Sequence, residues 1–213
     1  VNAKIIHKIR FRDSEFFVFD RSSETPEWLL NSFSLEHEMR LEWWNIQFGE
    51  TVIDVGAAYG SYTLTALAQG ADLVIAYEPC MSELFDLHTN LTLNNWMGRC
   101  WTVPYLAGRT DGVFDEFYPD SHSTLAKGWK SPRLVLPIDK LVHQIQLTRL
   151  DWIKVDVEGA ELAVLEGATK TLTTLKPRVL VENHNAFMPG ISEQVATLMQ
   201  SLGYAGKNKR GTA

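Results

Sequence analysis

The 213-residue sequence has little of several features that mark particular classes of protein. It has two cysteines, Cys80 and Cys100, with neither metal-binding nor redox spacing, which predicts a reduced, cytoplasmic protein. No apolar run reaches membrane-spanning length, and no signal peptide is visible. The net charge is −6, and basic residues gather only at Lys207, Lys209 and Arg210. A nucleic-acid-binding surface usually needs a basic stripe, so we expect neither a nucleic-acid nor a membrane partner.

Internal repeats and low-complexity tracts are also absent, whereas 45% of the residues are hydrophobic. This predicts one compact α/β unit with a large core. Residues 1–48 are predicted to form an N-terminal cap on a core domain of residues 49–213, with a strand or hairpin over Phe11–Phe19 and a helix over Glu27–Phe48. Since the first residue is Val1 rather than methionine, we expect part of a larger chain. A homo-oligomer is the alternative expectation.

The segment Thr51–Tyr62 predicts a strand, a small-residue loop and the start of a helix. Its β-branched run is typical of a buried parallel strand that Asp54 closes, and a helix over Ser61–Gln69 is expected to end at Gly70. A loop of this kind brings backbone N–H groups close to a nucleotide-like ligand. The loop residues are Gly56, Ala57, Ala58, Tyr59 and Gly60. An ordinary strand-to-helix turn is the alternative interpretation.

Glu78 favours a ligand site over an ordinary turn. It ends a second apolar run, Leu73–Tyr77, 24 residues after Asp54, where an acid can accept hydrogen bonds from ribose hydroxyls. A dinucleotide site wants G-x-G-x-x-G, but Ala58 stands at the middle glycine. The acidic strand end suits a cationic sulfonium such as S-adenosylmethionine (SAM) better than a pyrophosphate.

The remaining pattern alternates strands with helices and predicts a doubly wound, mostly parallel sheet of Rossmann-like type. The expected strands are Trp101–Leu106, broken by Pro104, then Leu134–Ile138, Trp152–Val157 and Arg178–Val181. Three helices are also expected. The first has Ser82 as its N-cap and ends at Asn94–Asn95, the second follows Glu161, and the third covers Ile191–Leu202. The segment Gly108–Pro132 is predicted to be an inserted irregular loop with a hairpin arm over Val113–Tyr118.

Polar residues follow four of these strands at their carboxyl ends, where such sheets bind ligands. They are Asp54, Glu78, the pair Asp156 and Glu158, and the pair Glu182 and His184. Their convergence predicts a functional site at that edge of the sheet.

Five segments together resemble the FkbM family of SAM-dependent methyltransferases: VIDVGAAYGSYTL, AYEP, LTLNN, IKVDVEGAELAVLEGA and KPRVLVENH. The resemblance runs from about Gly49 to Gly203, and it implies a class I methyltransferase fold. It also implies O-methylation of a hydroxyl on a sugar, polyketide or related metabolite. About ten residues follow Gly203, too few for the two closing strands that such folds usually carry.

The resemblance also implies roles for individual residues. Asp54, Gly56, Ala58 and Gly60 would cradle the methionine part of SAM, with Ala57 and Tyr59 in the same loop. Tyr59 stands where the family often has asparagine. Glu78 would hold the ribose, and Pro79 with Leu106 and Ala107 would lie near the adenine. Asp156 and Glu158 would face the reaction centre.

A neutral hydroxyl needs a base or a cation beside it to become a nucleophile. His184 is the first candidate for the base, with Asp156, Glu158 and Glu182 as further catalytic candidates, and a structural histidine is the alternative. His122 is a second candidate. Asp156, Glu182 and Asn183 also predict a Mg²⁺ site that resembles that of catechol-type O-methyltransferases. The alternative is that these acids only accept hydrogen bonds from the substrate or from neighbouring backbone.

Three functions compete at this point. The first is a SAM-dependent O-methyltransferase that acts on a small molecule or glycan. The second is a nucleic-acid methyltransferase of the same fold, disfavoured by the acidic charge and by DVEG in place of an Asn/Asp-Pro-Pro-aromatic motif. The third is a non-catalytic SAM-binding or scaffold domain.

Overall fold

A five-stranded parallel sheet forms the centre of the part of the chain that the computed structural model describes, residues 5–20, 43–114, 132–185 and 188–207. Its strands are β3 (Thr51–Val55), β4 (Leu73–Tyr77), β5 (Cys100–Val103), β8 (Trp152–Val155) and β9 (Arg178–Val181). They lie in the order β5-β4-β3-β8-β9. Trp152–Val157 and Trp101–Leu106 were thus predicted too long, and Pro104 ends β5 as expected, because proline has no N–H to donate to a ladder.

Helices cover both faces of this sheet. They are α1 (Ser61–Ala68), α2 (Met81–Leu93), α3 (Ile138–Gln144), α4 (Glu161–Glu166), α5 (Thr169–Thr174) and α6 (Ile191–Ser201), with a short 3₁₀ turn over Met97–Arg99. Alternate residues of each strand belong to two separate cores, one shared with α1 and α2 and the other with α3 to α6. None of the described helices combines the length and the apolar character needed to cross a membrane.

The order in which the chain adds strands to the sheet reverses between β3 and β8. The chain runs outward from β3 through β4 to β5, then returns to place β8 on the other side of β3. In doubly wound sheets a ligand binds at the carboxyl ends of the strands beside this switch point. The predicted doubly wound parallel sheet is therefore confirmed.

The N-terminal hairpin packs on the α1 and α2 side of the sheet. Strands β1 (Ile5–Phe11) and β2 (Ser14–Asp20) pair antiparallel. The hairpin therefore starts before Phe11, where the prediction placed its first residue. Its buried residues Phe11, Phe16 and Val18 join the core that α1 and α2 share.

Most of the predicted helix over Glu27–Phe48 lies outside the described residues. Residues 44–48 are not helical, so its predicted end is wrong, although Trp44 is fully buried as expected. The boundary between residues 48 and 49 stays a prediction.

A second hairpin lies beside the main sheet. Strands β6 (Gly112–Phe114) and β7 (Arg133–Val135) pair antiparallel, and Val135 forms a single bridge with Leu106. The predicted strand Leu134–Ile138 is therefore too long, because Pro137 caps α3 and Ile138 is its first residue. Residues 115–131, which contain the rest of the predicted arm and His122, lie outside the described residues.

Two predicted helix boundaries differ from the structure. Helix α2 begins at Met81 with Cys80 as its N-cap, not at Ser82, and the Cys80 N–H donates to the carboxylate of Glu78. The single helix predicted after Glu161 is two short helices, α4 and α5. The ends predicted at Gly70 and at Asn94 are confirmed.

Candidate active site

The loop between β3 and α1 lies tightly against the carboxyl end of the sheet. The N–H groups of Gly56 and Ala57 both donate to the carbonyl of Tyr77, at 3.1 and 3.0 Å. A Cβ atom on Gly56 would lie 1.8 Å from the carbonyl oxygen of Asp156. Gly56 also has a φ of +78°. Only glycine fits here, and the loop after β3 therefore touches the loop after β8 directly.

Glu78 ties this loop to the end of β4. Its side chain is buried, and its two oxygens accept the N–H groups of Ala58 at 2.8 Å and of Cys80 at 2.7 Å. Each carboxylate oxygen keeps a lone pair for a ligand hydroxyl. Burial raises the pKa of Glu78 to about 7, and the two N–H groups only partly oppose this. Further donors from a bound ligand would stabilise the ionised form, which suits the role predicted for Glu78.

Asp54 is buried inside the sheet rather than exposed at the strand end. It is followed by Val55, the last residue of β3, and its side chain is fully inaccessible. Its Oδ2 accepts the Thr63 hydroxyl at 2.7 Å, and its Oδ1 lies 3.4 Å from Nζ of Lys154. Asp54 is thus occupied with internal partners, and its contact with a cofactor stays a prediction.

The ends of β8 and β9 bring His184 together with three acids. Its Nδ1 lies 2.7 Å from Oε1 of Glu161, and its Nε2 lies 3.6 Å from Oδ1 of Asp156 and 3.7 Å from Oε2 of Glu158. Glu161 is fully buried and also accepts the N–H of Gly159 at 3.0 Å. A buried carboxylate on Nδ1 fixes the orientation of the ring and leaves Nε2 for the site.

This cluster shifts the pKa of two of its members. The hydrogen bond to Glu161 raises the pKa of His184 to about 9, against the effect of burial, and the charges of Asp156 and Glu158 act in the same direction. Burial alone would raise the pKa of Glu161, but the bonds from His184 and Gly159 outweigh it and lower that pKa. A pKa of about 9 favours the imidazolium form of His184 at neutral pH.

Other predicted site residues are held by bonds to neighbouring segments of the chain. The carbonyl of Pro79 accepts a bond from Arg133 Nε at 3.2 Å. Leu106 exchanges backbone bonds with Leu134 and Leu136, at 2.9 and 2.8 Å, which fixes the segment that also contains Ala107. In the loop, the Tyr59 carbonyl accepts the side-chain amide of Asn90, and Gly60 precedes α1 in the left-handed conformation.

The predicted Mg²⁺ ligands do not coincide with the cluster that the described residues form. Ligand atoms of Asp156, Glu158 and His184 lie within 4.8 Å of one another. Glu182 and Asn183 are exposed, and Glu182 is not part of this group. The set Asp156, Glu182 and Asn183 stays a prediction, as does the catalytic role of Glu182.

Sequence reasoning missed two residues of the site. Lys154 is buried in the middle of β8, between the loops after β3 and β8, and Glu161 orients His184. A lysine inside the buried run Trp152–Val155 was a signal for the first, since lysine is almost never buried unless it is paired. Nothing in the sequence distinguished Glu161 from an ordinary acid in the first turn of a helix.

The parallel sheet, its switch point and the glycine loop define a Rossmann-like fold of the class I methyltransferase type. A family model described as "Methyltransferase FkbM domain" matches residues 54–207. The chain belongs to the FkbM methyltransferase family, which is SAM-dependent. No curated protein matches this chain significantly.

Solved structures show the same fold. An FkbM methyltransferase from Methylobacillus flagellatus KT has a TM-score of 0.56 and 22% identity, over 72% of this chain and 37% of that one. A protein from Streptococcus mutans, provisionally assigned as a SAM-dependent methyltransferase, has a TM-score of 0.52 and 13% identity, over 94% of this chain and 47% of that one. M. jannaschii TYW2, solved in complex with AdoMet, has a TM-score of 0.47 and 14% identity, over 96% of this chain and 75% of that one, and this score adds nothing to the fold assignment. The present chain thus spans less than half the length of the first two.

Proposed function

We propose that this chain is a SAM-dependent O-methyltransferase that acts on a hydroxyl of a small molecule or glycan. The observation that carries the proposal is the oriented His184, whose Nδ1 is held by Glu161 and whose Nε2 lies beside Asp156 and Glu158. This arrangement lies next to a loop of the type that binds SAM in this family. An acid-oriented imidazole is a common means of removing a proton from a hydroxyl.

The loop after β3 and Glu78 would hold the cofactor. Gly56, Ala57 and Ala58 are held by Tyr77 and by Glu78, so their backbone is fixed before any ligand binds. Glu78 keeps lone pairs for the ribose hydroxyls, and Pro79 with Leu106 and Ala107 would flank the adenine. Bound SAM would supply an electrophilic methyl group. Methyl transfer then chiefly requires that the protein align the acceptor hydroxyl with this methyl group.

His184 would act as the base, and Asp156 and Glu158 would position the acceptor hydroxyl. In this role Nε2 must be neutral to accept the hydroxyl proton, while Nδ1–H donates to Glu161. Because the carboxylates hold the pKa of the ligand-free imidazole near 9, the neutral form is scarce at pH 7. A cation bound nearby would lower this pKa and favour the neutral form.

The direct test is a methyl-transfer assay with SAM and a panel of hydroxylated sugars, polyketides and related metabolites. S-adenosylhomocysteine formation that depends on an acceptor hydroxyl supports the proposal, and loss of turnover in His184→Gln with retained SAM binding assigns the base. SAM binding without turnover of any acceptor favours a non-catalytic SAM-binding domain. Turnover of RNA or DNA alone would favour the nucleic-acid alternative, against which the net charge of −6 argues.

A divalent metal is the second candidate for activation of the hydroxyl. One observation favours it: the three ligand atoms of Asp156, Glu158 and His184 lie within 4.8 Å of one another. Two carboxylates and an imidazole are acceptable ligands for Mn²⁺ or Zn²⁺, and less typical of Mg²⁺. Activity that a chelator abolishes and a metal restores would support this mechanism. Activity that a chelator does not change would instead support the mechanism in which His184 is the base.

A further inference from the structure

Lys154 lies at the point where the two halves of the site meet. It is directly opposite Asp54 in the pairing of β8 with β3, and its side chain is 4% exposed. A lysine in the middle of a buried parallel strand disturbs an apolar core unless every N–H of its ammonium group has a partner. Its position therefore calls for a reason other than packing.

The ammonium group of Lys154 contacts both loops of the site. Nζ donates to the carbonyl of Gly56 at 3.1 Å, and it lies 3.4 Å from Oδ1 of Asp54 and 3.3 Å from Oδ2 of Asp156. The contact with Gly56 is a hydrogen bond, and the contacts with the two carboxylates are ion pairs. Nζ also lies 4.7 Å from the centre of the Tyr62 ring, a distance typical of a cation–π contact.

The two carboxylates keep Lys154 charged. Burial lowers the pKa of a lysine, but Asp54 and Asp156 outweigh burial and raise the pKa of Lys154 above its ordinary value. One positive charge thus stands between two acids, one of them fully buried. Removing the ammonium would leave Asp54 without an opposite charge in the interior and would free Asp156 at the mouth of the site.

We infer that Lys154 is a positioning residue that joins the cofactor loop after β3 to the acceptor side of the site after β8. It holds the Gly56 carbonyl, which orients the loop, and it holds Oδ2 of Asp156, which turns Oδ1 toward Nε2 of His184 at 3.6 Å. The part of this role that concerns catalysis rests on the proposed methyl transfer. The part that concerns the loop does not.

The test compares Lys154→Met with Lys140→Met as a matched control. Methionine keeps most of the apolar stem and removes the charge, whereas Lys140 is a partly exposed lysine that pairs with Asp111 outside the site. In the ligand-free protein we expect the amides of Gly56, Ala57 and Ala58 to exchange hydrogen at least about tenfold faster in Lys154→Met, and not in the control. The amides of α2 should exchange at the same rate in both.

Binding and turnover provide two further readouts. Lys154→Met should weaken SAM binding by about tenfold through the disturbed loop. It should lower kcat by about 100-fold through the displaced Asp156. Lys154→Arg, which keeps the charge, should recover part of both. If the wild type methylates no acceptor, the proposed function fails while amide exchange and SAM binding still decide this inference.

Lys154→Met leaves Asp54 without its opposite charge, so the double variant Lys154→Met/Asp54→Asn is measured beside it to provide a variant without the unpaired buried acid. The second substitution removes the buried charge but does not restore the contacts to Gly56 and Asp156. Fast loop exchange in the folded double variant supports the inference. Loop exchange and SAM affinity within twofold of the wild type, in either folded variant, overturn it.

Discussion

The two ends of the central sheet use charged residues in opposite ways. At the amino ends, Glu50 pairs with Arg178 and accepts the Trp152 indole N–H at 3.2 Å and the Gln47 N–H at 2.8 Å. The Arg178 guanidinium also stacks on the ring of Trp152 at 4.3 Å. Glu50 is thus matched by one base and by fixed donors, and Asp151 at the same end pairs with Arg149.

At the carboxyl ends of the same strands, the acids outnumber the bases. Asp54, Asp156, Glu158 and Glu161 surround Lys154 and His184, and Glu78 lies across the loop. Among the described residues, Oδ1 of Asp54 and Oε2 of Glu161 are buried without a hydrogen-bond partner. Such an excess of negative charge costs stability, and perturbed groups of this kind are enriched at functional sites. The amino end therefore contributes to the fold, and the carboxyl end is the proposed ligand site.

The largest effect is expected from His184→Gln. It removes the base from the carboxyl end and should lower kcat by about 10²- to 10⁴-fold without unfolding the protein. In the wild type, kcat/KM should increase with pH up to about 9, because the imidazole must lose its proton before it can accept another. Steady-state kinetics from pH 6 to 10 check both expectations.

His143→Gln is the matched control for this substitution, since His143 is an exposed histidine on α3. Its kinetics should equal those of the wild type. A His184→Gln enzyme that keeps wild-type kcat and the same pH profile would show that His184 is structural.

Glu78→Gln should weaken SAM binding by about 10- to 100-fold, because an amide replaces the charged acceptor of two ribose hydroxyls. The ligand favours the ionised carboxylate, whose pKa in the free protein is about 7. The Kd of the wild type for SAM should therefore fall as the pH rises from 6 to 8 and then level off. Calorimetric titration checks this, with the exposed Glu193→Gln as control. A Kd that depends on pH equally in Glu78→Gln would assign the effect to another group.

Glu50→Gln tests the amino end. The amide cannot satisfy Arg178, Trp152 and Gln47 together, so the free energy of unfolding should fall by about 1–3 kcal/mol. The ion pair itself contributes little of this, since the Arg178 side chain is 47% exposed. Denaturant unfolding measures the loss. SAM affinity and kcat of the folded variant should not change, and a selective loss of either would mean that the two ends are coupled.

The smallest effect concerns stability and pH. The pKa of His184 is raised in the folded protein to about 9, so its stabilisation is fully present below pH 6.5 and disappears as the pH rises through 9. We expect a contribution of about 1–2 kcal/mol, reduced by solvent near the site. The difference in Tm between wild type and His184→Gln should shrink from pH 6 to pH 9.5. A constant difference would contradict the coupling to Glu161.

Local patterns predicted the central sheet well and the short connecting elements less well. Leu73–Tyr77 is a strand with the predicted bounds, because a buried parallel strand needs a continuous apolar run. The edge strand Arg178–Val181 also has its predicted bounds, although none of its residues is fully buried. The N-cap of α2 was misplaced from Cys80 to Ser82, because Cys80 occupies the cap position without a side-chain capping bond, and the preference for serine at an N-cap reflects such a bond. The bond from the Cys80 N–H to the carboxylate of Glu78 is a further contact that propensities do not show.

The sequence by itself determined the doubly wound sheet, the edge at which the polar residues collect, and the family to which the chain belongs. These follow from short-range patterns: the period of apolar residues, glycines in a tight loop and an acid after a strand. Only the tertiary structure decided which polar groups touch. In the structure, buried Asp54 pairs with Lys154, and Glu161 is bonded to His184. Glu158, and not Glu182, lies beside Asp156 and His184. Those contacts depend on the register of β8 with β3 and β9, and side-chain partners that are distant along the chain leave no local signal.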